Sequence, residues 1–226
     1  MPSDFLVRPT TVERAIPGIV CVLVNEAMPG IIKIGMTTSD LIGRIRQLDT
    51  VGVPLPFECV LAVQVEDVFF VERRLHQVFS DRRVRASREF FRLSTEPVKA
   101  ALELVAGLNV TPKQDIVESE ADQAALDAAK KRRSNFRFGM VDIPPGATLT
   151  STFDETVTCT VHDDRWVLFR GEVTSLSDAA LTVAHENGFL WKSVQGPRAW
   201  KHRDKLLDDL RNDVSASGSP DDVAGD

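Results

Sequence analysis

The chain has 226 residues, 43% of them hydrophobic, and this length and composition suit two small globular domains. Its formal net charge is −6. No apolar run is long enough to cross a bilayer and no basic-plus-apolar leader is present, so we expect a cytoplasmic protein. Cys21, Cys59 and Cys159 are far apart in apolar or strand-like stretches. This spacing excludes a disulfide framework or a zinc site and favours small buried side chains.

The first half of the chain predicts an α+β unit. Residues 18–24 form an unbroken apolar run, typical of a central strand buried on both faces, and turn residues separate it from a β-branched stretch at 31–35. The pair therefore predicts a hairpin. The next elements are a helix capped by residues 38–40, a strand at 57–65 and a helix at 67–79. The apolar stripe of that helix consists of Val68, Val71, Leu75 and Val78. An edge-like strand at 89–93 and a helix from 95 to 107 complete the unit.

The second half is less regular. Residues 109–140 are alanine-rich with little apolar stripe, and we interpret them as a spacer, helical or partly disordered. Two or three strands follow, at about 147–152, 156–162 and 165–169. The pattern then predicts a helix capped by residues 175–178 and a last helix at about 203–211. We divide the chain into an N-terminal extension (1–15), a first domain (16–108), a partly helical linker (109–140), a second domain (141–211) and a disordered acidic tail (212–226).

A set of spaced motifs runs through the first domain: Gly18-Ile19-Val20, Lys33-Ile34-Gly35, Arg44, Glu72 with His76, and Arg88-Glu89-Phe90-Phe91. Their order and spacing resemble the GIY-YIG endonuclease superfamily, and most closely its phage-type branch, whose second motif reads Lys-Ile-Gly. The resemblance implies a small three-stranded antiparallel sheet flanked by helices. It also implies that DNA phosphodiester bonds are cut with one divalent metal ion, Mg²⁺ or Mn²⁺, and with no small-molecule cofactor.

The resemblance implies roles for four side chains. Lys33 positions or deprotonates the attacking water, Arg44 neutralises charge on the phosphate, and Glu72 binds the metal ion. His76 lies one turn after Glu72 on the same helix face and can contact the phosphate or the ligands of the metal ion. Arg44 lies between Leu41 and Leu48 at helical spacing, which directs it along the buried stripe, where a structural ion pair is the alternative role. A solvated carboxylate is the alternative for Glu72.

The stretch from Glu72 to Arg92 contains seven arginines against three acids, an excess suited to an anionic partner. Together with the resemblance, this excess makes several of these residues candidate contacts to the DNA backbone, with a solvated surface as the alternative. Glu89 can instead cap a helix or pair with one of the arginines. The candidates are Arg73, Arg82, Arg83, Arg85 and Arg88.

The sequence departs from the family pattern in one respect: it contains no tyrosine. The tyrosine of the first motif falls on Val20, or on Cys21 if the hairpin is aligned one residue later. Neither replaces a phenol, because burial in a strand raises the pKa of a thiol and keeps it protonated. Three hypotheses follow. The protein is an endonuclease that acts in restriction or in competition between phages, or it is a catalytically silent DNA-binding regulator. The third hypothesis, suggested by the net negative charge, is a protein–protein interaction module.

Residues 144–211 resemble a RAMA domain, the module associated with restriction enzymes and adenine methylases. The segments that carry this resemblance include residues 145–149 and Asn187-Gly188-Phe189. The resemblance implies a second small α+β domain that recognises DNA, including DNA with modified bases. We assign Trp166 to the core, whereas Trp191 and Trp200 could either stack on bases or belong to the core. The candidate DNA contacts are Trp191, Lys192, Trp200 and Lys201.

Overall fold

The computed structural model describes residues 15–105, 107–133 and 135–217. Within these ranges the chain forms two antiparallel sheets, of four and six strands, together with seven helices. The architecture is therefore α+β throughout, as the sequence predicts. Most of the expected N-terminal extension and the expected tail from residue 218 onwards lie outside the described residues. No described helix combines the length and the apolar character needed to cross a membrane.

The first sheet has the strand order β3-β1-β2-β4, with all neighbours antiparallel. The resemblance implied three strands, but Phe90 and Phe91 pair with Lys33 and Ile32 and add a fourth. The edge-like strand predicted at 89–93 is therefore confirmed at its centre, whereas the count of three strands came from the resemblance alone. The elements are β1 (Gly18–Val24), β2 (Ile32–Thr37), α1 (Leu41–Arg46), β3 (Glu58–Val65), α2 (Val68–Val78), β4 (Phe90–Phe91) and α3 (Thr95–Glu103).

Helices cover both faces of this sheet. Alternate residues of β1, such as Val20 and Val22, pack with α2 and α3 on one face, while Cys21 and Leu23 face α1 on the other. This arrangement confirms that the apolar run is a central strand buried on both sides. At the end of α2, Val78 is 66% exposed, which corrects its expected place on the apolar stripe. It is the last residue of that helix and lies beyond the packed part of the stripe.

Residues 107–133 pack against the first sheet and form a helix, which agrees with the helical alternative for the expected spacer. Gln64 of β3 exchanges backbone hydrogen bonds with this segment: its N–H donates to Leu108 C=O and its C=O accepts from Gly107 N–H, both at 2.8 Å. The segment thus runs along the outer edge of β3. It continues into α4 (Glu120–Arg133), in which Leu126 is 1% exposed and Lys130 3% exposed.

The second sheet has the strand order β10-β9-β5-β6-β7-β8, which exceeds the two or three strands expected. Its extra strands come from two-residue turns, Arg170-Gly171 and Arg203-Asp204, whose residues all have positive φ between 49° and 88°. Such turns favour tight hairpins, but arginine is not a usual turn signal. The elements are β5 (Thr148–Ser151), β6 (Thr158–Val161), β7 (Trp166–Phe169), β8 (Glu172–Ser175), α5 (Leu176–Glu186), α6 (Gly196–Ala199), β9 (Trp200–His202), β10 (Lys205–Leu206) and α7 (Leu207–Ser217).

Helix boundaries in the second domain follow from these turns. Ser175 caps α5 by accepting a hydrogen bond from Asp178 N–H at 3.1 Å, as predicted. The last helix begins at Leu207 and not at about 203, because residues 203 and 204 form the hairpin turn. It continues to Ser217, so the first six residues of the expected tail are helical.

The structure corrects the core assignment of Trp166 and decides between the two alternatives left open for Trp200. Trp166 is 45% exposed, because Val167 and Phe169 of the same strand face the core and alternation turns Trp166 outward. Trp200 is fully buried, and its Nε1–H donates to Leu176 C=O at 3.0 Å. Trp166 is thus an outer-face residue, and Trp200 belongs to the core.

Ion pairs join the first domain to the segments that follow it. Arg198 of α6 contacts Glu26 Oε1 at 2.8 Å, and Lys201 of β9 contacts Glu96 Oε2 of α3 at 2.6 Å. Lys130 of α4 contacts Glu58 Oε2 of β3 at 2.6 Å. Because Glu26 and Lys130 are nearly inaccessible to solvent, these contacts form a buried ionic interface.

Candidate active site

The charged residues of the first domain meet at the outer edge of β2, where the short strand β4 begins. Lys33 lies opposite Phe90 in the sheet, and the next β2 residue, Ile34, donates its N–H to Glu89 C=O at 3.1 Å. This register brings the Glu89 side chain to the Lys33 ammonium, and the two form an ion pair. The ammonium also lies 5.6 Å from the centroid of the Phe90 ring. Lys33 is therefore held from two sides.

The Lys33–Glu89 pair is largely withdrawn from solvent, since Lys33 is 7% exposed and the Glu89 side chain 40%. Burial alone would raise the pKa of Glu89, but the hydrogen bond and the charge of Lys33 outweigh it and hold that pKa below 4.5. Glu89 is thus a carboxylate at neutral pH. The sequence allowed Glu89 a cap or an arginine as partner, and the structure corrects this to Lys33.

Gly35 keeps space open beside this pair. A Cβ at this position would lie 3.5 Å from Lys33 Nζ and 3.8 Å from Glu89 Oε2. An alanine would therefore just fit, whereas a longer side chain would occupy the volume beside the two charged groups. The glycine of the Lys-Ile-Gly motif thus keeps side-chain atoms away from the two charged groups.

Helix α2 presents Glu72 and His76 to the same edge of the sheet. His76 Nε2 lies 3.0 Å from Ile34 C=O, and the imidazole ring lies 5.1 Å from the Phe91 ring. Burial lowers the pKa of His76, and the charges of Arg83 and Lys33 lower it further, so the ring is neutral at about pH 7. A carbonyl oxygen can only accept, so Nε2 carries the proton and Nδ1 keeps its lone pair.

Glu72 is half-buried, and within the described part of the chain it has no hydrogen bond or ion pair. Burial raises the pKa of Glu72, the nearby charge of Glu89 raises it further, and the charges of Lys33 and Arg44 only partly offset this. A cation at this carboxylate would relieve the cost of its charge. Glu72 is therefore the carboxylate of this cluster that remains available to a metal ion.

Arg44 lies on the other helix that borders the site. It is exposed, and its Nη1–H donates to Gln47 Oε1 at 3.3 Å. The expected position along the buried stripe is wrong, because α1 ends at Arg46 and does not extend that stripe to Leu48. The charge of Arg44 nevertheless affects the pKa of Glu72 and Glu89, which places it in the electrostatic surroundings of the cluster.

Residues 18–106 match the T5orf172 domain. This is a phage-associated domain related to GIY-YIG-like nucleases, and the relation indicates a nuclease or DNA-binding role with DNA as the partner. The chain matches no curated protein and no solved structure. All the charged residues of the cluster at β2 fall within the T5orf172 domain.

The two candidate tyrosine positions of the T5orf172 domain face opposite sides of its sheet. Val20 is fully buried against α2 and α3, whereas Cys21 pairs with Gly35 on the α1 side. Burial raises the pKa of the Cys21 thiol to about 11, against the lowering effect of Lys33 and Arg44. Cys21 thus occupies the position nearest to the charged cluster, and its thiol is protonated at neutral pH.

Glu72 is the residue of this cluster that could hold a divalent cation. Across residues 15–105, 107–133 and 135–217, no three His, Cys, Asp or Glu side chains converge as a metal cluster. Mg²⁺ commonly takes one or two carboxylates and completes its shell with water and phosphate oxygens. Glu72 supplies one such carboxylate without a competing partner, whereas Glu89 is already paired with Lys33.

The arginines of the T5orf172 domain form an exposed surface beside the cluster. Arg83 is half-buried: its Nε–H donates to Arg88 C=O at 2.7 Å and its guanidinium lies 5.5 Å from the Phe91 ring centroid. This contact stiffens the segment that leads into β4. The exposed members are Arg73, Arg82, Arg85 and Arg88, of which Arg82 pairs with the adjacent Asp81.

The candidate DNA contacts of the second domain are dispersed. Lys192 is exposed, and Trp191 is partly buried against Phe189, with the ring centroids 4.4 Å apart. Trp200 is fully buried and Lys201 is paired with Glu96. The expectation for Trp200 is corrected, because its side chain cannot reach a ligand without breaking the core, whereas Lys201 stays a prediction.

Proposed function

We propose that the protein is a metal-dependent DNA endonuclease, with the catalytic site in its T5orf172 domain. One observation carries the proposal: Lys33, Glu72 and neutral His76 gather at one edge of the sheet. Charge stabilisation, a carboxylate for a cation and a proton acceptor are the groups that phosphodiester hydrolysis requires. The exposed arginines beside the cluster support DNA as the substrate.

The chain's own residues divide the work as follows. The Lys33 ammonium and the Arg44 guanidinium hold the non-bridging oxygens of the scissile phosphate and offset the charge that develops there. Glu72 would hold Mg²⁺ or Mn²⁺, and the ion would supply polarisation of the phosphate and a more acidic water molecule. His76 Nδ1 takes the proton of the attacking water. The water oxygen bonds to phosphorus, the bond to the opposite ester oxygen breaks, and that oxygen is protonated by solvent.

This scheme assigns the base to His76 and not to Lys33. Lys33 is engaged with Glu89 as the cationic member of an ion pair, whereas the His76 lone pair on Nδ1 has no partner among the described residues. His76 thereby takes the part that the absent tyrosine would have in the related nucleases. Replacement of His76 should then change the pH profile of cleavage, whereas replacement of Lys33 should change the apparent affinity for phosphate more uniformly.

Plasmid cleavage tests the proposal directly. Purified protein should nick or linearise supercoiled plasmid in Mn²⁺ or Mg²⁺ but not in EDTA, and the substrates should include plasmids with different base modifications. We expect Glu72→Gln, Arg44→Ala and His76→Phe each to lower the rate by about a hundredfold or more. Glu66→Gln, at an exposed carboxylate just before α2, is the matched control and should cut like the wild type. Robust cutting by the Glu72 and Arg44 variants would refute the site assignment.

A second candidate function is a DNA-binding regulator that has lost catalysis. The lack of tyrosine and the protonated thiol of Cys21 favour it, because no residue there supplies a phenol. Under this alternative no plasmid is cleaved in any metal, yet DNA binding remains salt-dependent. Replacing Arg82, Arg85 and Arg88 by alanine should then change the dependence of the DNA-binding constant on salt concentration. In a plot of the logarithm of the binding constant against the logarithm of the salt concentration, the slope should become shallower by about one unit per lost phosphate contact.

A protein–protein interaction module, in contrast, would show no salt-dependent DNA binding.

We also propose that the second domain recognises DNA and selects targets by base modification, in keeping with its RAMA-like sequence. Exposed Lys192 and half-buried Trp191 remain available for contact, and Trp166 offers an exposed aromatic face in place of Trp200. Substitution of Lys192 and Trp166 by alanine should reduce discrimination between modified and unmodified plasmid. It should leave the rate on the preferred plasmid within a few-fold at saturating protein.

A further inference from the structure

Helix α2 carries two phenylalanines, Phe69 and Phe70, that do not belong to the core. Each is 44% exposed, and every other phenylalanine in the described part of the chain is buried or partly buried. Val68, Val71 and Leu75 of the same helix are buried, so the helix already packs through a different face. The proposed nuclease chemistry uses neither ring.

The turn of α2 brings one of these rings next to the charged cluster. Successive residues of an α-helix are about 100° apart, so Phe69 lies about 60° around the axis from Glu72, whereas Phe70 lies about 160° away. His76 and Arg73 lie at about 40° and 100° from Glu72, on the same side as Phe69. Long helical side chains lean towards the N-terminus, which carries those of Glu72 and Arg73 towards the turn of Phe69. Phe69 therefore borders the site, whereas Phe70 does not.

The two rings also differ in what covers them. The Arg74 guanidinium lies 5.0 Å from the centroid of the Phe70 ring and donates to Gln77 Oε1 at 2.9 Å, so both that ring and that charge are engaged. Among the described residues Phe69 has no aromatic or cationic partner, and exposed Arg73 has no acidic one. Phe69 thus offers an open ring face, with an unpaired guanidinium one turn further along the helix.

An open aromatic ring beside an unpaired cation suits a nucleotide. A base stacks on the ring while its phosphate contacts the cation, and such stacking tolerates every base. In a continuous duplex each base is already stacked between its neighbours, so an unpaired nucleotide presents its face at much lower cost. Because the adjoining cluster is proposed to hold the scissile phosphate, the ring lies where the next nucleotide of the strand would pass. The exposed arginines of this domain add charge of the sign that DNA requires.

We propose that Phe69 and Arg73 form a stacking platform that makes the T5orf172 domain selective for DNA with an unpaired nucleotide next to the scissile phosphate. The base of that nucleotide stacks on the Phe69 ring, and Arg73 contacts its phosphate. This inference rests on the proposed nuclease function and names its substrate class, which is DNA with gaps, bubbles or single-stranded ends in preference to continuous duplex.

Fluorescence anisotropy of the full chain in EDTA, where no metal-dependent cleavage occurs, measures the platform separately from catalysis. The probes are a labelled, fully paired duplex and the same duplex with a short central bubble of unpaired bases. The two probes carry the same number of phosphates, so a difference in affinity reports the unpaired bases and not the charge. We expect the bubble to bind about tenfold more tightly. Equal affinity for the two probes would overturn the proposal.

Substitutions of Phe69 separate stacking from apolar contact. Phe69→Leu keeps an apolar side chain without the ring, so it should weaken bubble binding about tenfold and leave duplex binding within about twofold. Phe69→Trp should retain the preference, because an indole also stacks on bases. Phe70→Leu is the matched control, since that ring is equally exposed but lies away from the cluster. An unchanged preference in the folded Phe69→Leu protein, checked by circular dichroism, would contradict the assigned platform.

Cleavage in Mn²⁺ distinguishes failure of this inference from failure of the proposed function. We expect nicks within or next to the bubble, at a higher rate than in the paired duplex. Equal rates on both probes would refute the platform and leave the nuclease standing. No cleavage of either probe, together with Phe69-dependent bubble binding, would refute the nuclease and support the platform as a DNA-binding site.

The competing occupant of the exposed ring is a second copy of this chain. Size-exclusion chromatography with light scattering of the wild type and of Phe69→Leu tests it. We expect the same mass for both proteins. If Phe69→Leu converts a dimer into a monomer without changing the preference for the bubble, the ring belongs to an interface between copies and the proposal is overturned.

Discussion

Lys130 connects α4 to the first domain through a buried ionic contact. Its side chain is 4% exposed, and its ammonium lies 2.6 Å from Glu58 Oε2 and 3.3 Å from Asp115 Oδ1. Burial alone would lower the pKa of Lys130, but the two carboxylates outweigh it and raise that pKa above 10.5. Lys130→Met keeps most of the side-chain volume and removes the charge, so it tests the ion pair without opening a large cavity.

The expected cost of Lys130→Met is large, because two buried carboxylates lose their cation. Removing one partner of a buried ion pair typically lowers the free energy of unfolding by about 3–5 kcal/mol, mostly through the unpaired charge that remains. With a urea m-value of about 3 kcal/mol/M, the unfolding midpoint should fall by about 1 M or more. Lys131→Met, at the exposed neighbouring position, should change the free energy of unfolding by less than about 0.5 kcal/mol.

Urea unfolding followed by circular dichroism measures both variants at several pH values. The pH dependence separates charge from packing, because loss of the Lys130 charge raises the pKa of Glu58 further in the folded state. A group with a raised folded pKa stabilises the fold at low pH and loses that contribution as pH increases. The loss in free energy of unfolding caused by Lys130→Met should therefore become smaller as pH falls towards about 5. A deficit under about 1 kcal/mol at neutral pH, or one that does not change with pH, would refute the reasoning.

Three further predictions concern single side chains. Trp200→Ala should lower the free energy of unfolding by about 3–5 kcal/mol and leave the salt slope of DNA binding unchanged, since Trp200 is core; a changed slope in a stable protein would contradict this. The thiol of Cys21, with a pKa of about 11, should resist a disulfide reagent at about pH 8 until denaturant is added, and fast labelling of the native chain would count against its burial. Glu89→Gln should be less stable than the wild type above about pH 4.5. Because the folded pKa of Glu89 is depressed, this difference should disappear as pH falls further, and acid titration of both proteins checks it.

The parts of the fold that the sequence predicts are those with a long or strongly marked pattern. The apolar run of β1, the helix α2 and the Ser175 cap of α5 are all confirmed, because periodicity and capping act within a few residues. The short strand β4 is also confirmed, within the edge-like pattern at 89–93. The two-residue strand β10 carries no period of its own, because it depends on tertiary pairing and on a tight turn that a local pattern does not contain.

Partners in the site are separated by long stretches of chain, which limits what the sequence can specify. Lys33 and Glu89 are 56 residues apart, and Ile34 and His76 are 42 apart. The register of β4 against β2 decides which acid meets Lys33, and that register was not predicted. The position of Arg44 was wrong for a related reason, since the end of a short helix depends on the loop that follows. The catalytic roles of Lys33, Arg44, Glu72 and His76 stay predictions.

The match to the T5orf172 domain ends at residue 106, but residues after that position still hydrogen-bond to the first sheet. The backbone of residues 107–110 bonds with Gln64 and Ala62 along the outer edge of β3. A fragment trimmed at the family boundary would leave this row of amide and carbonyl groups bare, a template on which a second chain could add a strand. Expression of the domain alone should therefore yield aggregates unless the fragment retains this covering segment. The family boundary thus marks where sequence similarity stops, whereas the requirement for a closed sheet edge marks where the fold can be cut.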